Sequence, residues 1–269
     1  MDLRRRQRRY RIRWAKLLAA VGLLAAVTTA AVVIFRQPGM AKAKEAALFT
    51  DEAADVTAAA SPAEKSGAPS APEAEGLLIL VNWDNPVPYE RPENLAELKD
   101  IFGDEVGFVN PDGSINAEAG SAAKEMFVAA QAEGIGQYKL VSAYRSIAYQ
   151  EKLWQARLAQ DPGYGSDPYN NPVKVVPGKC SEHTTGLAID ILSESYGDSD
   201  EGYADTPEGK WLAANAYKFG FILRYPKDKE HITGVMFEPW HYRYVGRDAA
   251  KEIHDRGVCL EEYLGLTHQ

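Results

Sequence analysis

Two short stretches of this 269-residue chain carry residue types able to hold a metal ion and to move a proton. In Ser181-Glu182-His183-Thr184-Thr185-Gly186-Leu187-Ala188-Ile189-Asp190, a histidine and a carboxylate stand seven residues apart. Downstream, Glu238-Pro239-Trp240-His241 sets a second carboxylate just ahead of a second histidine. His183, Asp190 and His241 together offer three metal ligands, an inventory that fits a catalytic site for one Zn2+ per chain with a fourth position left for water. Glu238 is left over as a base. Asp190 lies inside the apolar run Leu187 to Leu192, where an unpaired carboxylate is costly and calls for a cation. A metal is one such cation; Arg145 and Lys179 are the plainer ones. Residues three apart on an ideal strand point to opposite faces, so Glu238 and His241 can act together only if the backbone bends, and Pro239 offers the bend. The plain alternative makes Glu238 a surface charge and Trp240 a core aromatic. Arg145, in Ser142-Ala143-Tyr144-Arg145-Ser146, is a permanent cation at a strand-to-helix junction, placed to stabilise an oxyanion or simply to be solvated.

The elements that must position these groups follow from pattern and punctuation. Leu77 to Val81 is apolar and reads as a buried strand closed by the turn-rich Asn82 to Pro86. Residues 116–133 have helical apolar spacing at Ala119, Ala122, Met126, Phe127 and Ala130, with Gly134 as the stop. Tyr138 to Ser142 reads as a strand, and Ser146 caps a helix through Leu158. The Pro-, Gly- and Asn-rich connection from Asp161 to Lys179 is long enough to be a rim or lid. Gly186 to Leu192 reads as a strand and Ser193 to Asp205 as an acidic, solvated loop without calcium-loop spacing. Thr206 and Pro207 open a helix that Gly220 ends. Phe221 to Tyr225 and Val235 to Val245 read as strands, and Arg247 to Arg256 as a helix stopped by Gly257. Such a mixture without βαβ alternation predicts an α+β domain over residues 76–269, a small antiparallel sheet flanked by helices and carrying the metal site.

Charge is divided sharply along the chain. Residues 1–36 hold nine Lys or Arg against one Asp, a net +8 in a chain of −8, which leaves −16 for the rest. The basic end is therefore local, and nothing points to nucleic acid. Residues 1–16 form that basic segment, and the uncharged run 17–35 can just span a ~30 Å hydrocarbon core at about 1.5 Å per residue. The positive-inside rule then places the arginines in the cytoplasm and the domain outside, as a single-pass membrane protein. A cleaved signal peptide is the rival reading and exports the domain equally. The Ala-, Pro- and Glu-rich residues 36–75 read as a disordered tether.

The pattern Ser-x-His-x-x-Gly-x-Ala-x-Asp followed by Glu-x-Trp-His resembles the signature of VanY-type zinc D-alanyl-D-alanine carboxypeptidases, relatives of the VanX dipeptidases and lysostaphin-like metallopeptidases. The likeness extends through Val81 to Pro86, Ser142 to Ser146 with Gln150, Tyr217 to Phe221 and Leu260 to Leu264. It implies His183, Asp190 and His241 as zinc ligands, Glu238 as general base and acid, and Arg145 polarising the scissile carbonyl. It also implies contacts from Ser181, Tyr144 and Gln150 to the D-Ala-D-Ala end of a peptidoglycan stem peptide. Thr184 stands where many relatives carry Gln. His231, His254 and His268 match no motif position. Removal of the terminal D-Ala is the expected reaction; wall-peptide endopeptidase cleavage and a non-catalytic wall-binding module are the alternatives. Export would also permit a disulfide between Cys180 and Cys259, the only intramolecular pairing, against free buried thiols or a spare metal ligand at Cys180.

Overall fold

The structure, a computed structural model, describes residues 76–103, 107–108 and 113–268. The basic segment, the apolar run 17–35 and the tether 36–75 lie outside the described residues. Among the described residues the strands are β1 (Leu95–Glu97), β2 (Gly107–Phe108), β3 (Ser114–Asn116), β4 (Tyr138–Ser142), β5 (Ala188–Ser193), β6 (Phe221–Leu223) and β7 (His241–Tyr244). The helices are α1 (Leu98–Phe102), α2 (Ala117–Ala132), α3 (Ile147–Gln160), α4 (Pro207–Asn215), α5 (Glu230–Thr233), α6 (Arg247–Arg256) and α7 (Leu260–Leu264).

One sheet runs in the order β2-β4-β5-β7-β6, and β1 pairs with β3 separately. The fold is α+β, as expected, and the pairing is antiparallel except for β2 on β4, which is parallel. β5 is central and buried at all six positions, because helices and loops cover both of its faces. Against the sheet α2 lays Ala119, Ala122, Ala123, Met126, Phe127 and Ala130, in one cluster with Leu140, Ile189, Ile191 and Trp240. Full burial of each large member stabilises by roughly 1.5–3 kcal/mol. Gly120 lets α2 approach closely, since a Cβ there would press on Ile101 Cδ1 and stand 2.8 Å from Ile115 Cγ2, and both isoleucines would have to shift.

Local chemistry sets most helix ends. Asn116 Oδ1 accepts from the amides of Glu118 and Ala119, Ser146 Oγ from that of Tyr149, and Thr206 Oγ1 from that of Gly209. Gly257 closes α6 with φ 62°. Two expectations need correction. Leu77 to Val81 is no strand: the segment is largely buried, but the carbonyls of Leu77 and Ile79 accept from Arg243 Nη2 instead of a neighbouring strand. Only His241–Tyr244 of residues 235–245 is strand, because a turn at Glu238 to His241 interrupts the extended chain. Of the rim or lid expected of residues 161–179, the structure has the packed rim, with Val173 and Val176 buried and Val173 bridged to Val235.

Candidate metal centre

Three neighbouring strands aim their chemistry at one point. Asp190 on β5 pairs across with His241 on β7 and, on its other side, with Ser142 on β4. A register shift between Leu140 and Ser142 makes that last pairing possible. His183 arrives from outside the sheet, on the 3-10 turn Glu182–Thr185 that Gly186 ends with φ 71°. A Cβ at Gly186 would stand 2.7 Å from Leu95 Cδ2, so both the turn and its packing require glycine. The segment after β4 wraps this turn, with the amide of Arg145 donating to the His183 carbonyl at 3.1 Å.

The three donor groups meet. Ligand atoms of His183, Asp190 and His241, all buried, lie within 4.8 Å of one another. His183 Nδ1 is 2.7 Å from the Ala143 carbonyl and can only donate there, which leaves Nε2 as the lone-pair nitrogen, 3.2 Å from Asp190 Oδ2. His241 turns the other way, with Nδ1 3.0 Å from Asp190 Oδ1. Two imidazoles and one carboxylate match a catalytic zinc better than a calcium or magnesium site built of oxygens.

Glu238 joins them through the turn Glu238-Pro239-Trp240-His241, which the amide of His241 closes on the Glu238 carbonyl at 3.0 Å. Both side chains thereby lie on one side, with Glu238 Oε2 3.8 Å from His241 Nδ1. The bend asked of Pro239 is thus a tight turn. Burial pushes the Glu238 carboxyl up to about 8, with Asp190 adding and His241, Lys174 and Arg145 opposing. Burial, helped by Arg145, lowers His183 to about 4, which keeps it a neutral ligand. For Asp190 burial works upward, but His183, His241 and Arg145 outweigh it and hold the carboxyl well below the usual range. His241 also loses basicity to burial, yet its hydrogen bond to Asp190 and the nearby Glu182 carboxylate carry it up to about 9.

Arg145 is the plain cation on Asp190, at 2.8 Å from Nη2 to Oδ2, while Lys179 goes to Glu90 at the surface. Its Nε donates to Ser142 Oγ and its Nη1 to Gln150 Oε1. Gln150 is buried behind the guanidinium with its amide nitrogen on the Val176 carbonyl, so it holds Arg145 in place. Ser181 is buried and its carbonyl accepts from Thr184, and the half-buried Tyr144 ring lies under Arg91 at 5.5 Å. Lys174, on the rim, stands over the Trp240 ring at 4.9 Å.

The expected disulfide is not formed: Cys180 and Cys259 are both free. Each has its own packing site. Cys180 lies against the cluster of Val173, Val176, Tyr225 and Val235, and Cys259 is the N-cap of α7 in a capping box with Glu262. Burial pushes their thiols up to about 11 and about 12.

A second group of charges was not anticipated. Glu182, Arg224, Arg243 and Glu261 are sealed beneath the centre, each at most 1 % exposed. Glu182 Oε1 accepts from Arg224 Nε at 2.7 Å and Arg243 Nη1 at 2.8 Å, and Arg224 Nη1 and Nη2 donate to Glu261 at 2.8 and 2.6 Å. The signal was present, since Arg224 and Arg243 each interrupt an apolar stretch and need carboxylates for the reason Asp190 needs a cation.

Comparison with known proteins agrees with this geometry. The family profile for VanY D-alanyl-D-alanine carboxypeptidase matches residues 112–247. A D-alanyl-D-alanine carboxypeptidase of Enterococcus faecalis (strain ATCC 700802 / V583) is 39 % identical over 199 residues, covering 71 % of this chain and 67 % of the relative. The chain belongs to the VanY family of D-alanyl-D-alanine carboxypeptidases. Among solved VanY structures, a mutant of the vancomycin-resistance D,D-pentapeptidase VanY in complex with Zn(II) is 36 % identical. It superposes with a TM-score of 0.56 over 70 % of this chain and 98 % of that one. The LD-carboxypeptidase LdcB is 38 % identical with a TM-score of 0.61, over 70 % and 86 % of the two chains.

Proposed function

We propose that this member of the VanY family is a zinc-dependent D,D-carboxypeptidase that removes the terminal D-Ala from peptidoglycan stem peptides outside the cell membrane. The observation that carries this reading is the convergence of His183, Asp190 and His241 beside a buried, proton-holding Glu238. Zinc, when bound, supplies the Lewis acidity that activates water and polarises the scissile carbonyl. Glu238 takes the proton of the attacking water and returns it to the departing D-Ala amine. Its carboxyl, near 8 by burial and opposed by the charge of a bound ion, suits both transfers. Arg145 has five N–H donors by its chemistry, and three go to Ser142, Gln150 and Asp190. The remaining two are held in a fixed plane for the developing oxyanion. Ser181 and Tyr144 supply contacts to the D-Ala-D-Ala terminus.

The membrane part of the proposal rests on sequence: a basic segment, the uncharged run 17–35 and a tether. Among the described residues no helix is long and apolar enough to cross a membrane. An exported domain on a tether meets assembled wall peptides, which favours carboxypeptidase over dipeptidase work.

A second reading has its own observation, the likeness to the LD-carboxypeptidase LdcB. One experiment separates them: mass spectrometry of defined pentapeptide and tetrapeptide muropeptides after incubation with the protein, with and without a chelator. Loss of one D-Ala from the pentapeptide, abolished by chelation, is the expected result. Loss only from the tetrapeptide would transfer the assignment to L,D cleavage, and internal scission would make the protein an endopeptidase. No turnover of either by the zinc-loaded protein would sink the enzymatic reading.

A further inference from the structure

Among the described residues, five buried side-chain atoms lack a hydrogen-bond partner, and two of them face each other. Glu182 Oε2 and His241 Nε2 stand 3.6 Å apart. On the opposite edge of the same ring, Nδ1 faces Asp190 at 3.0 Å and Glu238 at 3.8 Å. A neutral imidazole carries one proton, so Nδ1 can offer a lone pair only if that proton is on Nε2. Some group must keep it there. His183 solves the same problem with a backbone carbonyl on its own non-ligating nitrogen.

For His241 we infer that Glu182 is a positioning residue of the metal centre, holding the proton on Nε2 so that Nδ1 is presented to the ion. The inference deepens the zinc reading proposed above and rests on it. An ionised carboxylate only accepts, so it cannot stabilise the wrong tautomer. Arg224 and Arg243 occupy Oε1 and fix the plane of the carboxylate, which leaves Oε2 directed at the imidazole. Arg224 is fixed in turn by Glu261 on α7, and Arg243 by the carbonyls of Leu77 and Ile79. The two ends of the described chain thus meet behind one ligand. Outer partners of this kind orient the ring and tune the affinity of metal-binding histidines.

Glu182→Gln is the decisive substitution because it keeps shape and changes only the donor pattern. With its amide oxygen on the two arginines, the NH2 group faces His241 and donates to Nε2, which drives the ring proton to Nδ1. Flipping the amide sets NH2 against two guanidinium donors instead. Zinc affinity of the full chain, measured by competition with a chromogenic chelator, is expected to fall about 10- to 100-fold in E182Q. The control is Glu261→Gln, which weakens the far end of the ion cluster and leaves the Glu182–His241 contact; its affinity should stay within about threefold of wild type. Wild-type affinity in E182Q, or an equal loss in E261Q, would overturn the inference. A second measurement needs no variant: imidazole 1H–15N spectra of the zinc-loaded wild type should show a protected Nε2–H on His241 and an Nδ1–H on His183. A proton on Nδ1 of His241 would overturn the inference whether or not E182Q folds. A wild type that binds no zinc would instead sink the function proposed above, and this inference with it.

Discussion

Two clusters of buried charge lie back to back in this protein, and they are built to opposite rules. In the lower one, two carboxylates, Glu182 and Glu261, face two guanidinium groups, Arg224 and Arg243, and the partners are sealed from solvent. In the upper one, Asp190 and Glu238 face a single permanent cation, Arg145, together with two imidazoles. The balanced cluster has its charges satisfied within the protein. The unbalanced one has carboxylate and nitrogen lone pairs in excess and is short of positive charge, which is the condition a divalent ion relieves. The titrations differ between the two: burial carries Glu238 up to about 8, and Asp190 and Glu182 carry His241 to about 9 against burial, while Glu182 below is pulled down by its two arginines against the upward push of burial. Charge balance thus separates a structural cluster from a reactive one, although both are buried.

The largest effect is expected from the unbalanced side. Glu238→Ala removes the proton carrier but none of the three ligands, so turnover should fall about 10²- to 10⁴-fold while zinc content, read by atomic absorption, is unchanged. Unaltered turnover in a zinc-replete variant would take Glu238 out of the mechanism. Cutting the balanced side should instead cost stability. Arg224→Ala leaves two carboxylates buried without their main partner, and urea unfolding should show a loss of roughly 3–5 kcal/mol. A loss under ~1 kcal/mol would mean that water reaches this cluster, contrary to its burial.

Arg145→Lys comes next. Lysine keeps the charge but cannot reach Ser142, Gln150 and Asp190 at once, so the remaining donors lose their fixed plane. We expect kcat to drop about tenfold to hundredfold with a smaller change in KM, because the contact tightens in the transition state. A change confined to KM would make Arg145 a uniform binder of substrate.

What the sequence reveals divides along the same line. The ligands and the base of the unbalanced cluster were readable because they lie in two short motifs whose chemistry is local: a histidine seven residues before a carboxylate, and a glutamate three before a histidine. Helix ends at Ser146, Thr206 and Gly257 were readable because a cap is also a local event. The balanced cluster joins residues 37 to 61 positions apart, and no local rule pairs Arg224 with Glu261 or Arg243 with Glu182. Leu77 to Val81 failed as a strand for a related reason. Apolar content demands burial, but whether a ladder or a guanidinium takes the carbonyls is decided by distant residues. The short strands β1 and β3 likewise follow from pairing with each other, not from their own composition.

A smaller and pH-dependent effect tests the imbalance itself. A ligating His241 must be neutral, yet Asp190 and Glu182 hold its proton up to about 9. Zinc uptake at pH 7 should therefore release about one proton from His241, with Glu238 adding part of a second. The sign follows: proton release is largest below pH 8 and fades as pH rises through about 9, so apparent zinc affinity climbs with pH up to that point and then levels. Calorimetry in two buffers of different ionisation enthalpy counts the protons. Zinc binding without proton release at pH 7 would mean that His241 is already neutral and that the upper cluster is not short of positive charge.

The smallest effect belongs to the cysteines, which bracket the two clusters. Cys180 precedes Ser181 and Glu182, and Cys259 caps the helix that carries Glu261. A disulfide between them would clamp the clusters from outside and was a reasonable expectation for an exported domain. Their surroundings argue otherwise. Cys259 accepts the Glu262 amide as a cap while its own amide donates to the Glu262 carboxylate at 2.8 Å, and Cys180 packs among valines and Tyr225. Burial raises both thiols beyond the range where thiolate forms readily, so reaction in the native protein should be slow. Denaturation without reductant should expose two titratable thiols per chain, and finding none would establish the bond. Cys259→Ser should shift stability by less than about 1 kcal/mol. Serine is the stronger N-cap, but the hydroxyl is more costly than sulfur in a pocket only 1 % exposed, and the two terms oppose each other. A loss near the ~4 kcal/mol of a long closed loop would instead reveal that the sulfur had been holding a covalent bond.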